Sequence, residues 1–244
     1  MGRCGFGRPN DYSMKKLRSL IVAIIFSVLI FGSYAGRVSA QPGPFGDALR
    51  ALDGNYKTLS TLKASVKMDQ YSAQIDEHDV REGTIIYIPQ KGRDAAFKIV
   101  WTRPVREELS VINKQYVIYR PNLNQAYIGS IESIKRPGVN GALSIVNMSK
   151  ADLKTNFEIK YAGLETLASG RSAWHLVLFP YTASSFKSAD VWIDDKTAMV
   201  LQVRQLQNNN DATTILLMAP DRNTKVNWKE VQINLPPGTN KIST

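Results

Sequence analysis

Residues 93–128 read RDAAFKIVWTRPVREELSVINKQYVIYRPNLNQAYI, and their pattern decides the fold. Phe97, Ile99 and Trp101 alternate with Ala96, Lys98 and Val100, the period of a strand whose two faces differ. Arg103-Pro104 interrupts the run, and a second strand sets Leu109 and Val111 against Glu108 and Ser110. Gln115–Tyr119 follows. Pro121-Asn122-Leu123-Asn124 is a turn by composition, and Gln125–Ile128 returns from it. Four strands joined by little more than turns form an antiparallel meander, because parallel neighbours need long crossovers.

Working outward, Phe45, Ala48, Leu49, Leu52, Tyr56 and Leu59 recur at helical spacing opposite Asp47, Arg50, Asp53 and Lys57. This predicts an amphipathic helix, weakened at Gly54. Leu62, Ala64, Val66 and Met68 alternate with polar residues as a first strand. Asp76–Asp79 reads as a charged turn and Val80–Ile88 as the second strand. Beyond the meander, Ser130–Leu153 breaks the pattern. Pro137-Gly138 and Asn140-Gly141 are turn pairs, and Ala142, Leu143, Val146, Ala151 and Leu153 suggest short helices. Strands resume at Phe157–Ala162, Ala173–Phe179, Ala189–Ile193, Val200–Leu206, Thr213–Met218 and Lys229–Leu235. Asp194-Asp195-Lys196-Thr197 and Asn208–Asp211 supply turns between them. The expected class is α+β, mainly β: one large curled antiparallel sheet forming an incomplete β-barrel, with the N-terminal helix and the short helical insertion as its lid. A sheet this wide must close, split or be covered, since bare edges and apolar faces associate.

The N-terminus carries an address. Met14-Lys15-Lys16-Leu17-Arg18 is basic, Leu20–Phe31 is apolar, and Val38-Ser39-Ala40 offers the small residues of a signal-peptidase site. Residues 1–40 are therefore expected to be an N-terminal extension and a cleavable signal peptide, with cleavage before Gln41 and a periplasmic product. Residues 41–244 are expected to form one domain. The apolar run is too short to span a bilayer comfortably. Met14 is an alternative start. Cys4, the one cysteine, precedes the apolar run, so it is no lipid-attachment site, and the mature chain has neither disulfide nor thiolate chemistry. Six Lys/Arg and one acidic residue leave with residues 1–40, so the formal charge falls from +10 to +5. No basic stripe interleaved with stacking aromatics marks a nucleic-acid footprint.

Chemistry-bearing constellations are sparse. His78 lies in a charged stretch and His175 in a strand, and no His or Cys pair has metal-ligand spacing. Asp194-Asp195 reads as a turn made through side chains before it reads as a catalytic carboxylate pair with Asp190. Ser184-Ser185 lacks a nucleophile-elbow context, and Gly138-x-x-Gly141 lacks the Lys-Ser/Thr of a phosphate loop. No enzyme, cofactor or metal is expected. The inward apolar positions Phe97, Ile99, Trp101, Leu109, Val111, Leu201 and Val203 serve as core in any β protein. They would line an apolar cleft, for acyl chains by the resemblance given below, if the sheet's concavity is left incompletely filled.

The meander also resembles LolA-type carriers of outer-membrane lipoproteins, whose pattern is roughly R-P-x-x-F-x-W-x-Y-x-x-P followed by S-D-G-K-x-x-W-x-Y-D-P-x-x-x-Q. Arg93, Phe97 and Pro104 fall in register, with Ile99 at the Trp position and Trp101 at the Tyr position; Tyr119, Pro121 and Gln125 match further on. Asp94, Ile112-Asn113 and Val117 depart from the pattern. Val231, Ile233, Pro237 and Gly238 fit the family's closing strand. The resemblance implies a periplasmic carrier, with Leu49, Leu52, Leu143 and Val146 in the lid and Arg93 as the latch that binds lid carbonyls. It also implies acylated lipoproteins or lipids as cargo, an inner-membrane releasing transporter and an outer-membrane acceptor as partners, and a monomer. The alternative is an RseB-like lipid- or lipoprotein-sensing module, which a second, smaller domain would favour; no sequence for one follows before Thr244. Another periplasmic lipid-binding protein ranks lower, and a hydrolase lower still.

Overall fold

The computed structural model describes residues 2, 43–90, 95–131 and 149–244. The expected cleavage site before Gln41, Arg93 and its neighbour Asp94, and the lid positions Leu143 and Val146 lie outside the described residues. The elements below belong to one unit, Pro42–Thr244. No described helix is long and apolar enough to cross a membrane.

Helix α1 (Pro44–Thr58) opens on Pro44, whose fixed φ suits a first turn. Asp47 in its first turn and Lys57 in its last complement the helix dipole. Its apolar face buries Ala48, Leu49 and Leu52. Ten strands share one antiparallel order around a long central pair. They are β1 (Leu62–Ser72), β2 (Glu77–Ile88), β3 (Ala96–Arg103), β4 (Glu107–Ile112), β5 (Gln115–Arg120), β6 (Gln125–Ser130), β8 (Ser172–Pro180), β9 (Phe186–Asp194), β10 (Val200–Gln207) and β11 (Ala212–Arg222). Helix α2 (Lys150–Asn156), started by a Ser149–Asp152 capping box, leads into edge strand β7 (Phe157–Thr166). The other edge is β12 (Asn240–Ser243), which pairs in parallel with β6. The full order is β12-β6-β5-β4-β3-β2-β1-β11-β10-β9-β8-β7.

The mainly-β class and the large, mostly antiparallel sheet are present; the curl into an incomplete barrel is not, since the sheet is neither closed nor strongly curled. Closure requires the outermost strands to meet in a compatible stagger. Here one outermost strand is only four residues long, and the other, β7, exposes Glu158 and Lys160. Charges on an edge discourage further pairing.

Two local expectations are also corrected. Lys229–Leu235 forms no strand: Asn227 and Glu230 make a capping box for a short 3-10 turn, Trp228–Val231, and pairing begins only after Gly238, at φ +78. The first hairpin turns at residues 73–76, so Glu77, His78 and Asp79 are strand residues, not turn. Pairing with Ser72, Tyr71 and Gln70 of β1 holds them there. Side chains add to it: His78 Nδ1 lies 2.8 Å from Asp69 across the pair, and Asp79 accepts from Arg81 of its own strand at 3.1 Å.

Register assigns the faces. Leu62, Ala64, Val66 and Met68 pair with Tyr87, Ile85, Gly83 and Arg81, and Ile85 in turn with Ile99. Ile99 faces Leu109, and Leu109 faces Ile118. On the other side, Met68 pairs with Ile215, Ile215 with Val203, Val203 with Val191, and Val191 with Leu176. The apolar side chains of these pairs form one core with Ala48, Leu49 and Leu52 of α1 and Leu153 of α2. The helices therefore lie on this face.

Gly83 sits where a Cβ would meet the Val100 carbonyl oxygen at 2.2 Å, so β2 and β3 approach closely beside Trp101 only because that position has no side chain.

Candidate functional site

The seven positions expected to line a cleft all lie on the helix-side face and are buried in its core. Phe97 pairs with Val111, Ile99 with Leu109, and Trp101 with Glu107, so five of them form one patch across β3 and β4. Leu201 and Val203 sit on β10, across β11, β1 and β2 from that patch. Of the expected lid residues, Leu49 and Leu52 are buried against the sheet.

Two polar groups are shut into this helix-side region. Asn55 of α1 buries its Oδ1, and Tyr87 of β2 its hydroxyl, neither with a hydrogen-bond partner among the described residues. Burial, with a smaller contribution from Tyr56, pushes the Tyr87 hydroxyl well above the usual tyrosine range. Unpartnered buried dipoles of this kind cost about 1–3 kcal/mol each.

At the end of the face where β1 turns into β2, the lining changes character. Glu107, buried, continues the parity of Leu109 and Val111, and accepts from Arg120 Nε at 2.8 Å; Arg81 Nη1 lies 3.5 Å away. The bond to Glu107 raises the pKa of Arg120, whose guanidinium also lies 5.2 Å from the Tyr127 ring centre. The alternation of Glu107, Leu109 and Val111 was the one signal in the sequence for this cluster: a carboxylate stood on the apolar parity. The arginines gave none.

The opposite face is mixed. Lys98 binds Glu108 at 3.0 Å, and Ser110 donates to the Val231 carbonyl at 2.5 Å, while Lys63 binds Glu230 at 2.8 Å. Residues 228–232 thus strap β1, β3 and β4 from outside. Burial would raise the Glu108 pKa, but hydrogen bonds from Arg106 and Lys98 outweigh it and hold the carboxyl below its ordinary range.

Further along this face His175 is flanked by Glu165 at 2.7 Å and Asp190 at 2.9 Å and stacks on Trp192 with ring centres 4.4 Å apart. Trp192 Nε1 donates to Glu165, and this bond, then the His175 contact, lowers the Glu165 pKa. Both ring nitrogens of His175 are engaged by carboxylates. Asp194 makes its turn through its side chain, accepting from Lys196 N, Thr197 N and Thr197 Oγ1, and it also binds Arg171 at 2.8 Å. Asp190 instead belongs to the His175 cluster. His78 is likewise held by Asp69.

No protein-family model matches the chain, and no curated protein matches it in sequence. Among solved structures it is similar to an uncharacterized conserved protein of Thermus thermophilus, at 14% identity and a TM-score of 0.53, over 81% of this chain and 98% of that one. That likeness is one of fold. Structural similarity at lower scores extends to a LolA superfamily protein of Nitrosomonas europaea, with 9% identity and a TM-score of 0.39 over 76% of this chain and 96% of that one. It extends also to a chain of the Pseudomonas aeruginosa MucA/MucB complex, with 10% identity and a TM-score of 0.47 over 77% of this chain. The present chain spans 60% of that chain's length.

Proposed function

We propose that this protein is a non-enzymatic periplasmic carrier that shields the acyl chains of lipoproteins or lipids between the inner and outer membranes. The observation that carries the reading is the helix-side face: an apolar surface continuous across the sheet, over which the described elements are α1 and α2. Among their residues, Ala48, Leu49, Leu52 and Leu153 supply the buried apolar side chains. A lid with so few anchors separates from a sheet at lower cost than a second packed layer would. Closed, it fills the binding face with its own side chains; open, it exposes that face to cargo.

Transfer free energy sets the terms. Each buried methylene of an acyl chain contributes about 0.8 kcal/mol, and cargo must displace the internal packing of Leu49 and Leu52 to gain it. The competition weakens net binding and so permits release. The Asn55 Oδ1 and the Tyr87 hydroxyl, unpartnered among the described residues, lower the stability of the closed state further, since opening lets water satisfy both and lets an ester carbonyl accept from Tyr87. By its place in the resemblance, Arg93 would latch the lid, and the cargo would pass from an inner-membrane transporter to an outer-membrane acceptor.

A photo-crosslinking residue at position 97 or 99 tests the reading. Expressed in cells, it should capture acylated lipoprotein or lipid, and the same residue at position 98 should not, because Lys98 points to the strapped face. Equal capture from 97 and 98 would mean the binding face is misassigned. No capture at either, together with a Phe97→Ala penalty of the full ~3–5 kcal/mol expected of a packed core phenylalanine, would leave the face as core and remove the carrier's site.

A further inference from the structure

The polar end of the helix-side face carries more than a rim. Arg120, Glu107, Arg81, Gln70, Thr213 and Gln205 all stand on the parity that elsewhere holds the core, near the end of the face where β1 turns into β2; register pairs Gln70 with Asp79 on one side and with Thr213 on the other, and Thr213 with Gln205. At the β5–β2 side of this band a cavity of about 290 Å³ opens between the β3–β4 and β5–β6 turns. Arg81, Arg106, Arg120 and Glu107 are among its lining residues; the Arg106 guanidinium binds Glu108 on the opposite face at 2.9 Å, which leaves two guanidinium groups, those of Arg81 and Arg120, beside Glu107. Val105 and Leu123 complete the wall with apolar side chains that are more than half exposed.

Glu107 has a specific consequence for its neighbours. By accepting from Arg120 Nε and lying near Arg81 Nη1 it offsets the repulsion between two like charges and fixes both planar groups beside the cavity. The Arg120 guanidinium, held from behind in this way, presents its remaining N–H groups as a preset fork for an oxyanion, while Arg81, which also donates from Nε and Nη2 to Asp79, adds its charge. Trp101 is the direct cross-strand partner of Glu107, and Leu109 follows two residues along, so charged and apolar walls adjoin within about 7 Å of strand. Elsewhere in the same band Gln205 Nε2 is buried without a hydrogen-bond partner among the described residues, another donor awaiting an acceptor.

Resting on the carrier reading, we propose that this cavity receives the anionic head group, phosphate or carboxylate, of an amphiphile whose alkyl chain runs inward past Trp101 and Leu109. The arginines select the head; the apolar face holds the chain. Val105 and Leu123 flank the mouth through which the chain enters.

Calorimetric titration of the purified protein with monomeric dodecyl phosphate, dodecanoate, dodecyl maltoside and inorganic phosphate tests this. Dodecyl phosphate or dodecanoate should bind at least tenfold tighter than the maltoside, and the tighter of the two identifies the head. Arg120→Met should weaken that anionic ligand fivefold or more while leaving the maltoside unchanged. Arg120→Lys, which keeps the charge and loses the fork, should fall between, and remains informative if the Met variant does not fold. Lys160→Met, on the exposed edge of β7, should change nothing. Equal affinity for anionic and neutral heads overturns the inference while the carrier reading stands, as does a preference that survives in Arg120→Met. Inorganic phosphate binding as tightly as dodecyl phosphate overturns the amphiphile and leaves a free-anion site. Failure of every amphiphile to bind removes both readings.

Discussion

Lys98 and Ile99 are neighbours in one strand, yet they stand in two different kinds of protein interior. Ile99 lies in a continuous apolar core that it shares with side chains of α1 and α2. Lys98 lies under the 228–232 strap among ion pairs and hydrogen bonds: Glu108, the Gln232 carbonyl, and Ser110 bound to Val231. The helix-side face is held by area removed from water, which is non-directional and which an acyl chain can supply equally well. The strapped face is held by directional bonds that no acyl chain could replace. The proposed carrier role calls for both: one face that can exchange its partner and one that keeps the sheet intact meanwhile.

Four experiments break or sharpen that contrast, the largest effect first. Ile99→Ala should cost about 2–5 kcal/mol in urea unfolding, and added amphiphile should recover part of it by filling the space. Asp194→Asn, on the strapped face, removes the charge that binds Arg171 and should cost about 1.5–3 kcal/mol at neutral pH. Burial alone would raise the Asp194 pKa, but bonds from Thr197 and Arg171 hold it below the ordinary range. Its contribution is therefore present above the unfolded carboxylate pKa of about 3.9 and lost as pH falls through the lower folded value. The variant should show a shallower loss of stability below about pH 4. Ser110→Ala leaves the Val231 carbonyl buried without its donor and should cost about 1–3 kcal/mol, with no recovery on adding amphiphile. Lys98→Ala should cost about 1 kcal/mol or less, since a partly exposed pair contributes little and Glu108 keeps Arg106. If Lys98→Ala matched Ile99→Ala, the two faces would not differ in kind.

Much of the helix-side face was legible because period-two alternation is written residue by residue. Phe97, Ile99 and Trp101 announce a face before any partner strand is known, and Leu49 and Leu52 announce the side of α1 that covers it. The same rule misled at Val231 and Ile233, where alternation suggested a strand. Extended chain becomes sheet only beside an edge with free backbone groups, and residues 229–235 lie across a face, so Val231 packs against the sheet while pairing waits for β6 at Asn240. The charged tip of β2 reads as a turn in the sequence because Glu77, His78 and Asp79 are poor strand formers alone. The β1 residues that hold them, Asp69 among them, reach them only through register.

From sequence alone came the antiparallel meander, the amphipathic helix and the apolar parity of the face, all consequences of local spacing. Only the tertiary structure decided that the sheet stays open, that the 228–232 segment straps its outer face, and that Arg81, Glu107 and Arg120 meet. Those three residues come from three different strands, and nothing in their spacing relates them. Long-range hydrogen-bond register brings them together, and register is fixed by the whole sheet at once.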